Sequence, residues 1–82
     1  MNASTIEKLR KTLLELQDEM TEQLEEIVTD RQDQFSERTD KWQESERGQE
    51  FEEKTDELDG FTDEIKQLFW EIEQKLDEII EL

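Results

Sequence analysis

Apolar residues recur at alternating steps of three and four from Ile6 to the last residue, and no proline interrupts them. In the first half they run Ile6, Leu9, Leu13, Leu16, Met20, Leu24 and Ile27–Val28. The step thins but persists through Arg31, Phe35, Arg38 and Trp42. It resumes at Phe51 and continues through Leu58, Phe61, Ile65, Leu68–Phe69, Ile72, Leu76, Ile79–Ile80 and Leu82. That step places the apolar side chains along one face of a helix, and nothing alternates with the period of a strand. The sequence therefore predicts an all-α chain.

Ser4-Thr5-Ile6-Glu7 has the pattern of a capping box and predicts a first helix from about residue 4 to about 45. Gly48 is one of two glycines, and Ser45-Glu46-Arg47-Gly48 reads as the turn, near residues 45–49. A second helix is expected from about 49 to 81. If the two fold antiparallel about that turn, facing residues have numbers with a constant sum. The pairs Trp42–Phe51, Phe35–Leu58, Val28–Ile65 and Leu24–Phe69 all give 93, with a midpoint inside the turn. Gly60 lies in phase between Leu58 and Phe61, so the second helix is expected to run through it at a cost of about 1 kcal/mol. The result is one domain, 1–82, an antiparallel helical hairpin.

Two helices alone bury only a narrow seam. Leu14, Ile27, Leu68 and Ile80 widen the stripe as a helix with two neighbours requires, which predicts a dimer of hairpins forming a four-helix bundle. Leu13, Leu14, Ile27, Leu68, Trp70, Ile72 and Ile80 are the expected self-association residues. A chain of 82 residues without cysteine has no disulfide to supplement a small core, so a partner is the natural source of stability.

The chain has no histidine, which removes the commonest catalytic base, and with no cysteine either it lacks the usual zinc ligands. Ser4, Ser36 and Ser45 have no histidine to activate them, and no glycine-rich phosphate loop is present. A calcium loop centred on Gly60 would begin at Thr55 and place Lys66 where a bidentate glutamate is needed. The expectation is a non-enzymatic protein without cofactor or metal. No run approaches the roughly 20 apolar residues of a membrane span, and a cytoplasmic chain with no membrane contact is expected.

Twenty-six acidic against ten basic residues leave a formal charge of −16. Direct nucleic-acid binding is disfavoured, because phosphate contacts need clustered Lys and Arg. Here the bases are scattered, often four residues after a glutamate, as in Glu50–Lys54 and Glu71–Lys75, where they support the helix. The acid is concentrated: residues 44–64 hold ten carboxylates and two bases. Helical spacing sorts them into two stripes. Glu46, Glu50, Glu53, Glu57 and Glu64 form one, and Glu52, Asp56, Asp59 and Asp63 form the other.

Rows of carboxylates on a rod imitate duplex phosphates, at an expected density of about two charges per turn per stripe. These nine residues are thus expected to bind a basic nucleic-acid-binding protein or nuclease complex and inhibit it. Small acidic proteins by which phages and mobile elements block restriction or CRISPR systems offer an analogy of class. The alternative expectation is a structural or adaptor coiled coil that acts through its apolar face.

Overall fold

A computed structural model describes residues 3–82. Among them are three helices and no strand: α1 (Ala3–Ser36), a single-turn α2 (Asp40–Glu44) and α3 (Glu46–Ile80). α1 and α3 lie antiparallel, and the molecule measures 61 × 16 × 10 Å. The thickness is that of one helix, so the hairpin is a single layer with two open faces.

The corner differs from the expected turn. α1 stops at Ser36, nine residues short of the expectation, and α3 starts at Glu46, three residues early. Capping explains both breaks. Thr39 is extended and its hydroxyl accepts the Trp42 amide, which starts α2. Ser45 is also extended (φ −70°, ψ 163°) and ends α2 while starting α3. Its amide donates to the Trp42 carbonyl, and its hydroxyl accepts the Gly48 amide at 3.2 Å. The Gln43 side-chain amide donates to the carbonyls of Phe35 and Arg38, both at 3.0 Å, and so ties α2 to the end of α1 and the link that follows it.

Gly48 is therefore not a turn residue. It is helical, buried and of ordinary φ. A Cβ built there would lie 2.1 Å from the Trp42 carbonyl oxygen and 2.7 Å from that of Gln43. Glycine is needed so that the backbone of α2 can rest on the first turn of α3. Gly60 meets nothing within 4 Å, and α3 continues through it as expected. Ser4 lies inside α1 rather than ahead of it, so the capping box does not mark the start of the helix.

Because the corner takes up residues 37–45, the helices meet about one heptad away from the expected register. Arg31 donates to the Thr55 hydroxyl at 2.9 Å, a pair whose numbers add to 86 rather than 93. Arg10 reaches Glu73 and Asp77, both at 2.8 Å, pairs that add to 83 and 87, while the long Lys66 side chain reaches along the seam to Glu25. A shift of seven residues leaves every side chain on nearly the same face, so periodicity alone cannot distinguish the two registers.

The seam is narrow and partly polar. Ile6, Val28 and Phe69 are its buried apolar side chains, and Thr55 and Thr62 are its buried hydroxyls. Both threonines donate back along α3, to Phe51 and Leu58 carbonyls at 2.9 Å. Gln17 Oε1 and Thr21 Oγ1 are enclosed without a protein partner, which costs roughly 1–3 kcal/mol for each such group. Leu9, Leu16, Met20 and Ile72, expected inside the seam, are instead 37–51% exposed. The corner end is better packed. Trp42 sits edge-on between Phe35 and Phe51, with ring centroids 5.9 and 5.8 Å away. Arg38 lies over Trp42 at 4.2 Å and Arg31 over Phe51 at 4.0 Å.

The candidate acidic face

The two open faces of the hairpin differ in chemistry. Arg10–Asp77 and Lys66–Glu25 cross the seam on one side and mark that face. Helical spacing extends it along α3 through Glu52, Asp56, Asp59, Asp63 and Trp70, and along α1 to Leu14. A shallow hollow lined by Gln32, Phe35, Ser36, Glu52, Thr55 and Asp56 lies at its corner end. On the opposite face a hollow is lined by Arg31, Trp42, Arg47, Glu50, Phe51 and Lys54. Spacing extends that face to Ile27, Met20, Leu16 and Leu9 on α1, and to Phe61, Leu68 and Ile72 on α3.

All nine acidic residues singled out in the sequence are exposed on one uninterrupted helix. At 1.5 Å per residue, residues 46–64 span about 27 Å, or about one carboxylate every 3 Å. That is close to the 3.4 Å spacing of phosphates along a single strand and sparser than a whole duplex. The two stripes stand roughly 120° apart around α3. One of the nine, Glu50, has a direct ion pair among the described residues, with Lys54 at 3.2 Å.

Folding brings in charges that the stripes did not predict. α2 folds back so that Glu44 shares a hollow with Gln49, Glu52, Glu53 and Asp56. A Thr39-Asp40 cap signal was available to place α2, but not the direction in which it packs. Glu25 comes from α1 and bonds Lys66, which interrupts the lower end of the acidic row. The Lys66 ammonium is held above its ordinary value by the hydrogen bond to Glu25, and then by the fields of Glu25, Asp63 and Asp59. Arg10 is raised by its hydrogen bond to Glu73 and by Asp77, with partial burial opposing. Among the described residues no group of carboxylates converges as a metal site would require. The segment 55–66 is continuous helix, so the calcium-loop geometry is absent there.

These shifts set the alkaline behaviour of the seam. A lysine whose folded value is raised above 10.5 stabilises fully below that pH, and the contribution is lost as pH climbs through the raised value. The melting temperature is expected to fall above about pH 10.5, and Lys66→Met is expected to fall less. Melting curves followed by circular dichroism between pH 8 and 11.5 measure this. Parallel losses in the two proteins would show that Lys66 is not the group responsible.

The expected self-association residues do not form one surface. Ile27, Leu68 and Ile72 share the apolar face, but Leu14 and Trp70 lie on the acidic one. Leu13 and Ile80 are half-buried towards the seam. A single partner copy cannot cover all seven. Trp70, 53% exposed, stands one turn beyond Lys66 and two beyond Asp63. No described helix is long and apolar enough to cross a membrane. Compared with known protein families, characterised proteins and solved structures, the chain matches none.

Proposed function

We propose that this chain is a non-enzymatic acidic decoy that occupies the nucleic-acid groove of a basic protein and so inhibits it. What supports the reading is the set of nine exposed carboxylates on one uninterrupted helix, whose average rise per charge is near that of phosphates along one strand. A groove lined by Lys and Arg reads phosphates through charge and spacing, without base contacts. Trp70 offers an aromatic anchor at the end of the row, of the kind that dominates many interfaces. A helical rod holds its carboxylates in place before binding, which lowers the ordering cost. Inhibitors of restriction or CRISPR nucleases carried by phages and mobile elements are the class that this chemistry fits. We include in the proposal that two hairpins pair into a four-helix bundle, and that the protein works in the cytoplasm.

The test uses the immobilised full chain and the heparin-binding protein fraction of the native host. A retained DNA-binding protein should be released by short duplex DNA and by moderate NaCl. Glu52→Lys, Asp56→Lys and Asp59→Lys together should weaken retention roughly 100-fold while circular dichroism stays helical. Equal retention by the triple variant, or release by detergent but not by DNA, would overturn the decoy.

The second reading, an adaptor coiled coil, is favoured by the exposed apolar face. It predicts that charge reversal is tolerated and that Ile72→Asp abolishes capture of the partner.

A further inference from the structure

The face opposite the acidic row is the largest feature that neither the seam nor the decoy explains. It carries Leu9, Leu16, Met20 and Ile27 from α1, and Phe61, Leu68 and Ile72 from α3. Phe61 and Leu68 are more than half exposed. The surface of the chain is 6571 Å², whereas a compact monomer of this mass exposes about 5,200 Å². The excess is more than the roughly 800 Å² that each partner contributes to an ordinary stable interface. A single layer of two helices also lacks the second layer against which such faces are normally buried.

We infer that this face binds a second copy of the chain antiparallel, with α1 over the partner's α1 and α3 over the partner's α3. The inference rests on the self-pairing proposed above and adds the surface and the direction. Three observations select this occupant.

The α1 residues are self-complementary. Leu9 with Ile27, and Leu16 with Met20, are symmetric about residue 18. A two-fold axis at that level sets Leu9 of one copy over Ile27 of the other, and Leu16 over Met20. The observed register places residue 18 level with residue 68, so Leu68 meets its own counterpart.

Charge is complementary in the same arrangement. The axis that centres on Leu68 brings Lys75 level with Phe61 of the other copy. Phe61 is flanked on that edge by Glu57 and Glu64. Lys75 is 75% exposed and pairs at 3.2 Å with the likewise exposed Glu78 on its own helix, a surface contact that it can exchange for those carboxylates.

The corner opposes the other direction. The apolar face ends there in a hollow that holds three cations, Arg31, Arg47 and Lys54, against one carboxylate, Glu50, which pairs with Lys54. Pairing corner to corner would stack those cations, while antiparallel pairing about residues 18 and 68 separates Arg31 and Lys54 from their counterparts by about 40 Å.

Such a dimer leaves the Glu52, Asp56, Asp59 and Asp63 stripe of each copy outward and sets the Glu57 and Glu64 stripe along the edge of the pair. Its two associations then respond oppositely to salt. Pairing between copies of charge −16 strengthens as NaCl screens their repulsion, while binding of a basic target weakens.

Sedimentation equilibrium of the full chain tests the pairing, with a species of twice the 10.0 kDa monomer mass expected at micromolar concentration and a larger dimer fraction at 0.5 M than at 0.05 M NaCl. The native chain has no cysteine, so single-cysteine variants test the direction. Leu68→Cys should form a disulfide-linked dimer under mild oxidation at least tenfold faster than Trp70→Cys, with helicity retained in both. A monomer at 100 μM overturns pairing altogether, and a partner of another kind would then have to cover the face. A dimer in which Trp70→Cys links as fast as Leu68→Cys overturns the surface and direction but not the pairing. Neither result bears on the charge-reversal test of the decoy.

Discussion

Gly48→Ala is expected to destabilise the protein by about 2–3 kcal/mol, and Gly60→Ala to stabilise it by about 1 kcal/mol. At position 48 the new methyl group meets three backbone atoms: the carbonyl oxygens of Trp42 and Gln43 at 2.1 and 2.7 Å, and the Gln43 carbonyl carbon at 2.9 Å. Backbone cannot rotate aside as the end of a side chain can, so α2 must lift from α3. Lifting α2 disturbs the double cap at Ser45 and the bonds from Gln43 to the end of α1. At position 60 there is only open space, and alanine simply narrows the unfolded ensemble and favours the helix. Thermal melts of the two variants should move in opposite directions, the first by roughly 10–20 °C for a domain of this size. Equal shifts of one sign would mean that α2 does not rest on Gly48.

Trp42→Ala carries a comparable expectation, a loss of about 2–4 kcal/mol. The indole is half-buried rather than enclosed, which places it towards the lower end of what a core tryptophan costs. From α2 it nevertheless joins both long helices and the link: Phe35 from α1, Phe51 from α3, and Arg38 between α1 and α2. Removing it leaves two phenyl rings facing solvent and deprives Arg38 of its aromatic partner. Trp42→Phe should recover more than half of the loss, because the ring contacts survive and only part of the area goes. Denaturant titrations of both variants measure the difference. The emission of Trp70 in Trp42→Phe reports on the acidic face separately, since the chain has two tryptophans.

The contrast between these glycines shows where sequence reasoning reached its limit. Gly60 was legible because its neighbours Leu58, Phe61 and Ile65 keep helical phase through it. Gly48 is not legible in this way, because a glycine beside Ser45 has the composition of a turn. Whether it turns the chain or admits a neighbouring backbone depends on α2, five residues long and placed by Thr39 and Ser45. Caps of this kind look alike in sequence wherever they fall, and only the packing of Trp42 chooses among them.

The acidic stripes were fully legible, because exposed positions on a single helix follow from spacing alone. All nine carboxylates are exposed as the spacing required. Their effective charge was not legible. Lys66 and Glu25 are 41 residues apart and meet only across the closed seam, a contact that helical spacing within α3 does not contain. Trp70 shows the same limit. Its distance from Leu68 is two residues, close in sequence and yet on opposite faces of the layer once the side of the seam is known.

By itself, the sequence determined that the chain is helical, folds back on itself and carries its acid along the start of the last helix. Each of these follows from local periods and from the absence of proline, which do not depend on distant residues. The tertiary structure alone decided the register, the corner of three elements, and the division into one acidic and one apolar face. A stripe that repeats every seven residues pairs equally well one heptad up or down. The nine-residue corner, held by Trp42, Gln43, Ser45 and Gly48, is what breaks that degeneracy.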